Sequence, residues 1–514
     1  MSLLPHITGL GFYSDDWDLL ARLQLAPGQR FVDLFHALYH AQVRMRPGQV
    51  AYLVGLYRLF GLEPTGYHLA NAAVVILMVL TFHLVLLRIV SQRAISVAIP
   101  LLYAVLPHYS TARIWYASFQ APLSVLLYFT SLLAGLRSLD HSARHPVMWQ
   151  VVSLLTLAAS TLSYEVCLLL FLLNTALFAR RAVGPARIRG VVLAALTLAT
   201  TLAVVVFKVM TATKVIAGPE AGYSLGLIRR ILWVDGDIYG LALPRTLWRA
   251  ARLAGSLDVM VAILLAISAS WYLGKTIAEE SKTAVWAPWG ILLGGVVVAA
   301  CGVGMFLVTP VSFHETGANT RIAIASAAGV AMVMVGLIAG LTARLSSTMK
   351  TYAFAWGIGG LIGANALISG SIATQWVQAA ERAHVAIKQV TAMFPTLRHG
   401  TTVLVSGICP YVGPAIVFES FWDLRGALWL HYRDTTLKAN ILTSSATISS
   451  HGVHTRIYAS QTMYPYDSIL AVDVARATAR PLRDSVTAAA YLNRLSGEGP
   501  ACPPGHEGYG VRIF

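Results

Sequence analysis

Two adjacent carboxylates near the N-terminus, Asp15 and Asp16, have the types and spacing that most directly suggest chemistry in this chain. They precede Trp17 and follow Tyr13-Ser14, in a protein with only 12% charged residues. A carboxylate beside a substrate can act as a general base, while its neighbour orients the acceptor or binds a metal ion. The same residues could instead start a helix, with Ser14 or Asp15 as its N-cap. The rest of the chain has to decide between these interpretations.

Four other side chains could belong to the same site, because each stands at or near the end of an apolar segment. They are Glu165, Arg321, His108 and His314. Ionisable groups at a membrane boundary cost free energy unless they face an interior cavity, so the default interpretation of such groups is a functional site. Simpler roles remain open: Glu165 could keep a turn solvated, Arg321 could extend to the membrane surface, and the histidines could form local hydrogen bonds.

The composition is that of a membrane protein. Of the 514 residues 56% are hydrophobic, the mean hydropathy is +0.65, and the apolar residues fall in long blocks. These features predict a polytopic membrane protein. A net charge of +15 would suggest nucleic acid in a soluble protein, but many of the basic residues lie in short loops between apolar blocks. Orientation in the bilayer explains them better, so we expect no nucleic-acid partner.

We predict an all-α bundle of about ten membrane-spanning helices. The segments lie at residues 67–90, 94–107, 117–136, 147–164, 166–179, 190–212, 256–273, 287–308, 322–341 and 352–372. Segments 147–164 and 166–179 could also be one long helix with Glu165 buried inside it. Arg144 and the Arg180-Arg181 pair fall on one side of the membrane only if there are two spans, so we favour two.

Lysine and arginine are concentrated in alternate loops, which predicts that those loops face the cytoplasm. The N-terminus, Glu165, the loop before residue 322 and everything after residue 373 are then external. We therefore expect a multi-pass plasma (inner) membrane protein with its site on the extracytoplasmic side. An external N-terminus without a signal also leads us to expect one further N-terminal span in the natural protein.

The chain divides into three predicted regions. Residues 1–66 form an external amphipathic segment with the acidic motif, residues 67–373 the transmembrane domain, and residues 374–514 a small soluble α/β domain. In the last region, 401–406 and 469–474 are predicted strands, and 418–431 is a helix or a strand. Cys409 and Cys502 could form a disulfide there, or both could be free.

Several motifs resemble the N-terminal part of the GT-C superfamily of membrane glycosyltransferases. They are Ser14-Asp15-Asp16, Arg46-Pro47 and residues 61–71 (Gly-Leu-Glu-Pro-Thr-Gly-Tyr-His-Leu-Ala-Asn). Residues 102–108 (Leu-Tyr-Ala-Val-Leu-Pro-His), followed by Trp115, are similar to a later family motif. The likeness is greatest to O-mannosyltransferases with tetratricopeptide tails and their bacterial relatives, and it extends in order over residues 11–372.

Two later motifs resemble the family with one departure each. Leu162-Ser163-Tyr164-Glu165 is similar to a Leu-Ser-Lys-Glu signature, with Tyr164 in place of lysine. Asn319-Thr320-Arg321 precedes a small-residue helix start, and Ile322 stands where a tyrosine often follows the arginine. Both departures fall where the donor would bind.

The resemblance implies an inverting transfer of a hexose or pentose from a polyprenyl phosphate to an external protein, lipid or envelope glycan. It implies a carboxylate base, for which we favour Asp16 slightly, with Asp15 orienting the acceptor or holding a divalent Mg or Mn ion; the two could be exchanged. Arg321 would stabilise the departing phosphate. Glu165, His108 and His314 would contact the donor, the acceptor or a metal.

The main alternative is a transporter or flippase of a lipid-linked glycan. Transporters tend to contain internal repeats and ionisable residues near the bilayer midplane. In this chain the acids cluster at segment ends, and we find no internal repeat in the sequence. A non-catalytic membrane scaffold is a second alternative.

Overall fold

The computed structural model describes residues 3–39, 43–140, 142–181, 187–212, 221–279, 288–308, 316–443, 445–457 and 460–497. Within them the α-helices are α1 (Asp15–Gln24), α2 (Phe31–Leu38), α3 (Pro47–Phe60), α4 (Pro64–Ile89), α5 (Arg93–Val105), α6 (Thr111–Ile114), α7 (Gln120–Ser138), α8 (Pro146–Ser163), α9 (Leu168–Arg181), α10 (Arg187–Thr211), α11 (Ala221–Trp233), α12 (Leu243–Leu253), α13 (Ser256–Glu279), α14 (Pro288–Gly304), α15 (Ile324–Thr342), α16 (Ser347–Met393), α17 (Phe421–Tyr432) and α18 (Ser485–Gly497). Shorter 3-10 helices lie at Leu4–Gly9, Pro107–Tyr109, Tyr116–Ser118, Glu165–Cys167, Met305–Val308, Ala318–Ala323 and Tyr466–Ser468, and a π-helix at Val234–Leu241.

Seven of the described helices are long and apolar enough to cross a membrane. They are Pro64–Ile89, Tyr116–Ser138, Pro146–Ser163, Arg187–Thr211, Ser256–Glu279, Pro288–Leu307 and Ser347–Met393. All ten predicted segments overlap helices, but α5, α9 and α15 are not among these seven. Ile95, Ile99 and Tyr103 of α5 are fully buried, so this short helix is covered by its neighbours. The predicted multi-pass helical bundle is confirmed.

The helix ends just before Glu165, as the two-span interpretation predicted. Helix α8 ends at Ser163, the 3-10 turn Glu165–Cys167 follows, and α9 begins at Leu168. Tyr164 is extended, with φ −159° and ψ 143°, which ends the helical path between the two segments. A single long helix through Glu165 is therefore wrong.

The N-terminal region consists of short helices, and one of them is covered by the C-terminal domain. Trp17, Leu20 and Leu23 of α1 are buried, and α1 packs against α17. A Cβ added at Gly426 of α17 would lie 2.5 Å from the carbonyl carbon of Trp17, so the two backbones approach as closely as glycine allows. Asp18 of α1 joins the same contact through ion pairs with Arg22, at 2.6 Å, and Arg425, at 2.8 Å.

The C-terminal domain is a small α/β unit. Its strands are β1 (Thr402–Ser406), β2 (Tyr411–Val412), β3 (Ala415–Ile416), β4 (Lys438–Ile441), β5 (Thr447–Ile448), β6 (Gly452–Ile457), β7 (Ser460–Pro465), β8 (Ile469–Asp473) and β9 (Thr478–Leu482). The main sheet has the order β4-β1-β8-β9, with β1 parallel to β4 and β8, and β8 antiparallel to β9. Both predicted strands are present, and the ambiguous segment 418–431 is largely helix α17.

Two further expectations concern this end of the chain. The predicted boundary at residue 374 falls inside α16, which continues to Met393. Cys409 is disulfide-bonded, whereas Cys167 and Cys301 are free thiols. We expected Cys409 and Cys502 to form a disulfide or to be two free thiols. Cys502 lies outside the described residues.

Candidate active site

The two adjacent acids begin α1, and their side chains have different surroundings. Asp16 is fully buried; its Oδ2 accepts a hydrogen bond from the Tyr13 amide at 2.9 Å, and its Oδ1 one from the Ala117 amide at 2.8 Å. Burial raises the pKa of Asp16 well above its ordinary value, although these amides act in the opposite direction. Asp15 is only partly buried and makes no such pair of main-chain contacts among the described hydrogen bonds. Asp16 therefore fixes the backbone, whereas Asp15 is the more exposed residue of the pair.

Asp15 and Arg321 share one electrostatic environment. Burial raises the pKa of Asp15, the positive charge of Arg321 lowers it, and the result is about 6. The Arg321 guanidinium lies over the ring of Trp115, 4.9 Å from its centroid. Trp115 in turn donates its indole N–H to the carbonyl of Tyr13 at 2.9 Å. The arginine is thus stacked on an aromatic ring that is tied to the acidic loop.

Hydrogen bonds from Thr111 hold the turn that carries Arg321, about 200 positions later in the chain. Thr111 donates its amide to Oγ1 of Thr320 at 3.2 Å and its hydroxyl to the carbonyl of Gly317 at 2.6 Å. Gly317 has φ +90°, a left-handed conformation that glycine adopts without strain. The 3-10 helix Ala318–Ala323 is therefore anchored to α6, close to Trp115, before α15 begins.

The C-terminal domain contributes a third charged group, Glu419, which sequence reasoning missed. Glu419 is 3% exposed and accepts hydrogen bonds from the hydroxyls of Ser14, at 2.5 Å, and Tyr411, at 3.2 Å. Its pKa is raised to about 7 by burial and by the charge of Asp15, and Arg321 acts in the lowering direction. Glu419 lies about 400 positions after the acidic motif, and no local sequence pattern distinguishes it from other acids. Only the tertiary structure reveals that it lies near Asp15.

Ser14 connects the two domains in a strained conformation. Its φ of 46° and ψ of −118° are unusual for a residue with a side chain. The preceding residue, Tyr13, donates its hydroxyl to the carbonyl of Trp376 in α16 at 2.9 Å. The hydrogen bond to Glu419 and the packing of Tyr13 hold this conformation, and strain of this kind is concentrated at functional sites.

Glu165 belongs to a different group of charges. Its carboxylate binds the guanidinium of Arg46 through two hydrogen bonds and lies 3.3 Å from Nζ of Lys208. Burial raises the pKa of Glu165, but Arg46 and Lys208 outweigh burial and lower it to about 2. Arg46 also lies over the ring of Tyr164, 4.7 Å from its centroid. Glu165 is not among the charges that act on Asp15.

The two candidate histidines have different outcomes. His108 is buried, and its Nε2 lies 2.7 Å from Oδ1 of Asp235 in the π-helix. Its ring packs near that of Tyr239, with centroids 4.8 Å apart. His108 stands in the 3-10 helix Pro107–Tyr109, which contacts the turn of Arg321. His314 lies outside the described residues.

A divalent metal was one expectation for the acidic pair. In the described part of the chain, no three or more His, Cys, Asp or Glu side chains are grouped so that they could hold a metal ion. Both oxygens of Asp16 already accept main-chain amides, so Asp15 is the carboxylate of the pair that is left for a metal. Mg²⁺ is commonly held by one or two carboxylates together with waters and substrate phosphates, and a divalent metal at this pair therefore stays a prediction.

No protein-family model matches this chain, and no curated protein does. Four chains among solved structures match it, including two structures of ArnT from Cupriavidus metallidurans. The one bound to undecaprenyl phosphate has 16% sequence identity and a TM-score of 0.40, and covers 84% of this chain and 83% of that chain. The apo structure has 15% identity and a TM-score of 0.38, and covers 86% and 83%. With TM-scores this low the likeness carries no argument about activity, which has to be inferred from the site itself.

Proposed function

We propose that this protein is an integral-membrane inverting glycosyltransferase that moves a sugar from a polyprenyl phosphate to an external acceptor. The observation that supports it most is geometric: Arg321 lies over Trp115, and Trp115 donates to the carbonyl of Tyr13 in the loop that carries Asp15. Burial raises the pKa of Asp15 to about 6, so this carboxyl is largely ionised at neutral pH and can still take a proton. The nearby arginine offers the positive charge that a leaving phosphate needs.

The reaction we propose is a single displacement. The acceptor hydroxyl or amide attacks the anomeric carbon of the donor sugar, and its proton passes to the carboxylate of Asp15. The bond between the anomeric carbon and the phosphate oxygen breaks, and polyprenyl phosphate leaves with the bonding electrons. Arg321 binds the phosphate oxygens, on which negative charge increases as that bond breaks. Attack on the face opposite the phosphate inverts the anomeric configuration.

We assign the base to Asp15 and a positioning role to Asp16, the reverse of our first preference. Both oxygens of Asp16 already accept main-chain amides, at 2.8 and 2.9 Å, so a proton transfer would disturb the loop that carries both acids. Asp15 is more exposed than Asp16 and has Arg321 as its main favourable charge. These differences favour Asp15 for contact with substrate.

Glu419 is proposed as a positioning residue. It accepts the hydroxyl proton of Ser14, the residue before Asp15, and thereby ties the acidic loop to the C-terminal domain. The charge of Asp15 in turn raises the pKa of Glu419. Docking of the C-terminal domain would then be needed for full activity, and both would lie on the extracytoplasmic side.

The test is transfer by purified protein in nanodiscs, with 14C-labelled mannosyl and arabinosyl polyprenyl phosphates as the hexose and pentose donors. We expect Asp15→Asn to lower the release of polyprenyl phosphate about 100- to 10,000-fold, the usual contribution of general-base catalysis. Asp33→Asn is the matched control, because Asp33 also lies in the first turn of an N-terminal helix. Equal rates in wild type and Asp15→Asn would contradict the mechanism. Movement of the intact donor across the bilayer of sealed proteoliposomes without sugar release would favour the flippase.

A further inference from the structure

Helix α12 carries a row of arginines on the side that faces away from the protein. Arg245, Arg249 and Arg252 are all exposed, and their spacing of four and three residues places them on one face of the helix. The helix contains no acidic residue. In the part of the chain that the structure describes, no ion pair joins these three arginines to an acid. Three positive charges therefore point outward along one face, which we call the arginine row.

The opposite face of α12 is held by the protein. Thr246 and Ala250 are 2% and 0% exposed, and α12 packs against α16 and the π-helix. Thr246 donates its hydroxyl to the carbonyl of Ile238 in that π-helix at 2.8 Å. Because these contacts fix the rotation of α12 about its axis, the arginine row has a defined direction.

Helix α12 lies at one end of a membrane-spanning helix. It ends at Leu253, and α13, which is long and apolar enough to cross a membrane, begins at Ser256. Ala254 between them is extended, with φ −74° and ψ 145°, so α12 and α13 do not form one continuous helix. The arginine row therefore lies at the membrane boundary, where α13 enters the bilayer.

Large apolar side chains flank the arginine row. Trp248 is 62% exposed, and the guanidinium of Arg252 lies 4.7 Å from the centroid of its ring. Leu253 and, at the start of α13, Leu257 are also exposed. Tryptophan is enriched at membrane–water interfaces, and amphipathic helices that lie there combine tryptophan and leucine with basic residues. Exposed tryptophan beside a row of arginines is thus typical of a helix among lipid head groups.

We infer that the arginine row of α12 binds the phosphates of anionic phospholipids at the membrane boundary. The charges are complementary, and the planar guanidinium can bind two phosphate oxygens at once. The exposed apolar surface continues into α13 through Met260 and Ile263, so the bilayer already lies beside the arginine row. The inference goes beyond the proposed sugar transfer and uses none of the residues assigned to that reaction.

The experiment is photolabelling of the full-length protein in nanodiscs that contain equal amounts of phosphatidylcholine and phosphatidylglycerol. One of the two lipids at a time carries a diazirine next to its phosphate. We expect the phosphatidylglycerol probe to label residues 243–253 more strongly than the phosphatidylcholine probe. A basic residue near an anionic surface contributes about 1 kcal/mol, so Arg249→Gln should reduce this excess about fivefold. Arg483→Gln is the matched control, because Arg483 is exposed in the C-terminal domain and its loss changes the net charge equally.

Two further measurements test whether charge is responsible. Arg249→Lys keeps the positive charge and should keep most of the excess, whereas a purely structural role for Arg249 would make lysine behave like glutamine. Raising the ionic strength from about 0.1 M to about 1 M shortens the Debye length from about 10 Å to about 3 Å and should lower the excess in wild type.

Three outcomes would overturn the inference. Equal labelling of residues 243–253 by the two probes in wild type would exclude a preference for anionic lipid. An excess that persists when all three arginines are replaced by glutamine would exclude the arginine row. No labelling of these residues by either probe would mean that α12 faces water or another partner. None of these outcomes depends on the transfer assay, so the inference and the proposed function can fail separately.

Discussion

The protein contains two buried groups of acidic and basic side chains, and the pKa of the acid is lowered in one group and raised in the other. Around Glu165, Arg46 and Lys208 outweigh the cost of burial and hold the pKa of the acid at about 2. Around Asp15, burial outweighs Arg321, and the pKa is about 6, with Glu419 nearby at about 7. The first group has two cations for one acid, whereas the second has more acids than cations. A satisfied carboxylate stabilises the fold, and an unsatisfied one is available for proton transfer.

The largest expected effect comes from breaking the satisfied group. Glu165→Gln leaves Arg46 and Lys208 without their counter-charge, and losing one partner of a buried ion pair costs about 3–5 kcal/mol. We expect a large fall in the thermal unfolding midpoint. Glu279→Gln is the control, because Glu279 is in an exposed ion pair with Lys275 at 3.8 Å, and it should change the midpoint little. Similar midpoints for the two variants would mean that the buried cluster is not structural.

Removing the cation from the unsatisfied group should affect catalysis instead. Arg321→Gln is expected to lower the rate of sugar transfer about 100- to 1,000-fold, because the departing phosphate loses its positive partner. Arg321→Lys keeps the charge but loses the planar, two-pronged contact, so partial rescue is expected. The comparison is made by kcat at saturating donor. A change confined to KM would mean that Arg321 contributes to binding but not to the leaving-group step.

The contact between α1 and α17 should have an intermediate effect. Gly426→Ala places a methyl group 2.6 Å from the amide nitrogen of Asp18, so the helices must separate, and overpacking of this kind costs about 1–3 kcal/mol. Transfer should fall as well, because Asp15 and Glu419 lie next to these helices. Gly55→Ala in α3 is the control, since no atom lies within 4 Å of the added carbon. Undiminished transfer in Gly426→Ala would mean that docking of the C-terminal domain is not needed.

The sequence predicted the membrane bundle well because long apolar blocks are a local signal. The break at Glu165 was predictable from the arginines that flank the two spans, and the strands around 402 and 470 from short runs rich in apolar and β-branched residues. The site was only partly predictable. The resemblance implied that Arg321 and the acidic pair share one site, which stays a prediction. The separation of Glu165 into a second group depends on Lys208, which lies in an apolar helix where a lysine usually extends to the membrane surface. Glu419 could not be found, because nothing local distinguishes it from an ordinary acid.

The pH dependence of transfer tests the coupling between the two acids. In wild type the rate should rise as the pH increases through about 6, when Asp15 loses its proton. Burial and the charge of Asp15 raise the pKa of Glu419 to about 7, so Glu419 is still largely protonated at that midpoint. Glu419→Gln keeps an acceptor for the Ser14 hydroxyl and is uncharged like the protonated acid, so the midpoint should stay near pH 6. A midpoint that moves to lower pH would show that ionised Glu419 opposes the ionisation of Asp15.

The smallest expected effect is on stability. Because the pKa of Asp15 is about 6 rather than its ordinary 3.8, the folded protein resists ionisation more than the unfolded chain does. The stability associated with this acid is therefore present below pH 3.8 and is lost as the pH rises through about 6. Asp15→Asn removes the charge and should raise the unfolding midpoint at pH 8 by about 2 °C, as is common when an active-site group is neutralised. The gain should disappear near pH 4, while Asp33→Asn should show no such gain at either pH. A fall in the midpoint of Asp15→Asn at pH 8 would place Asp15 with Glu165, among the acids that stabilise the fold.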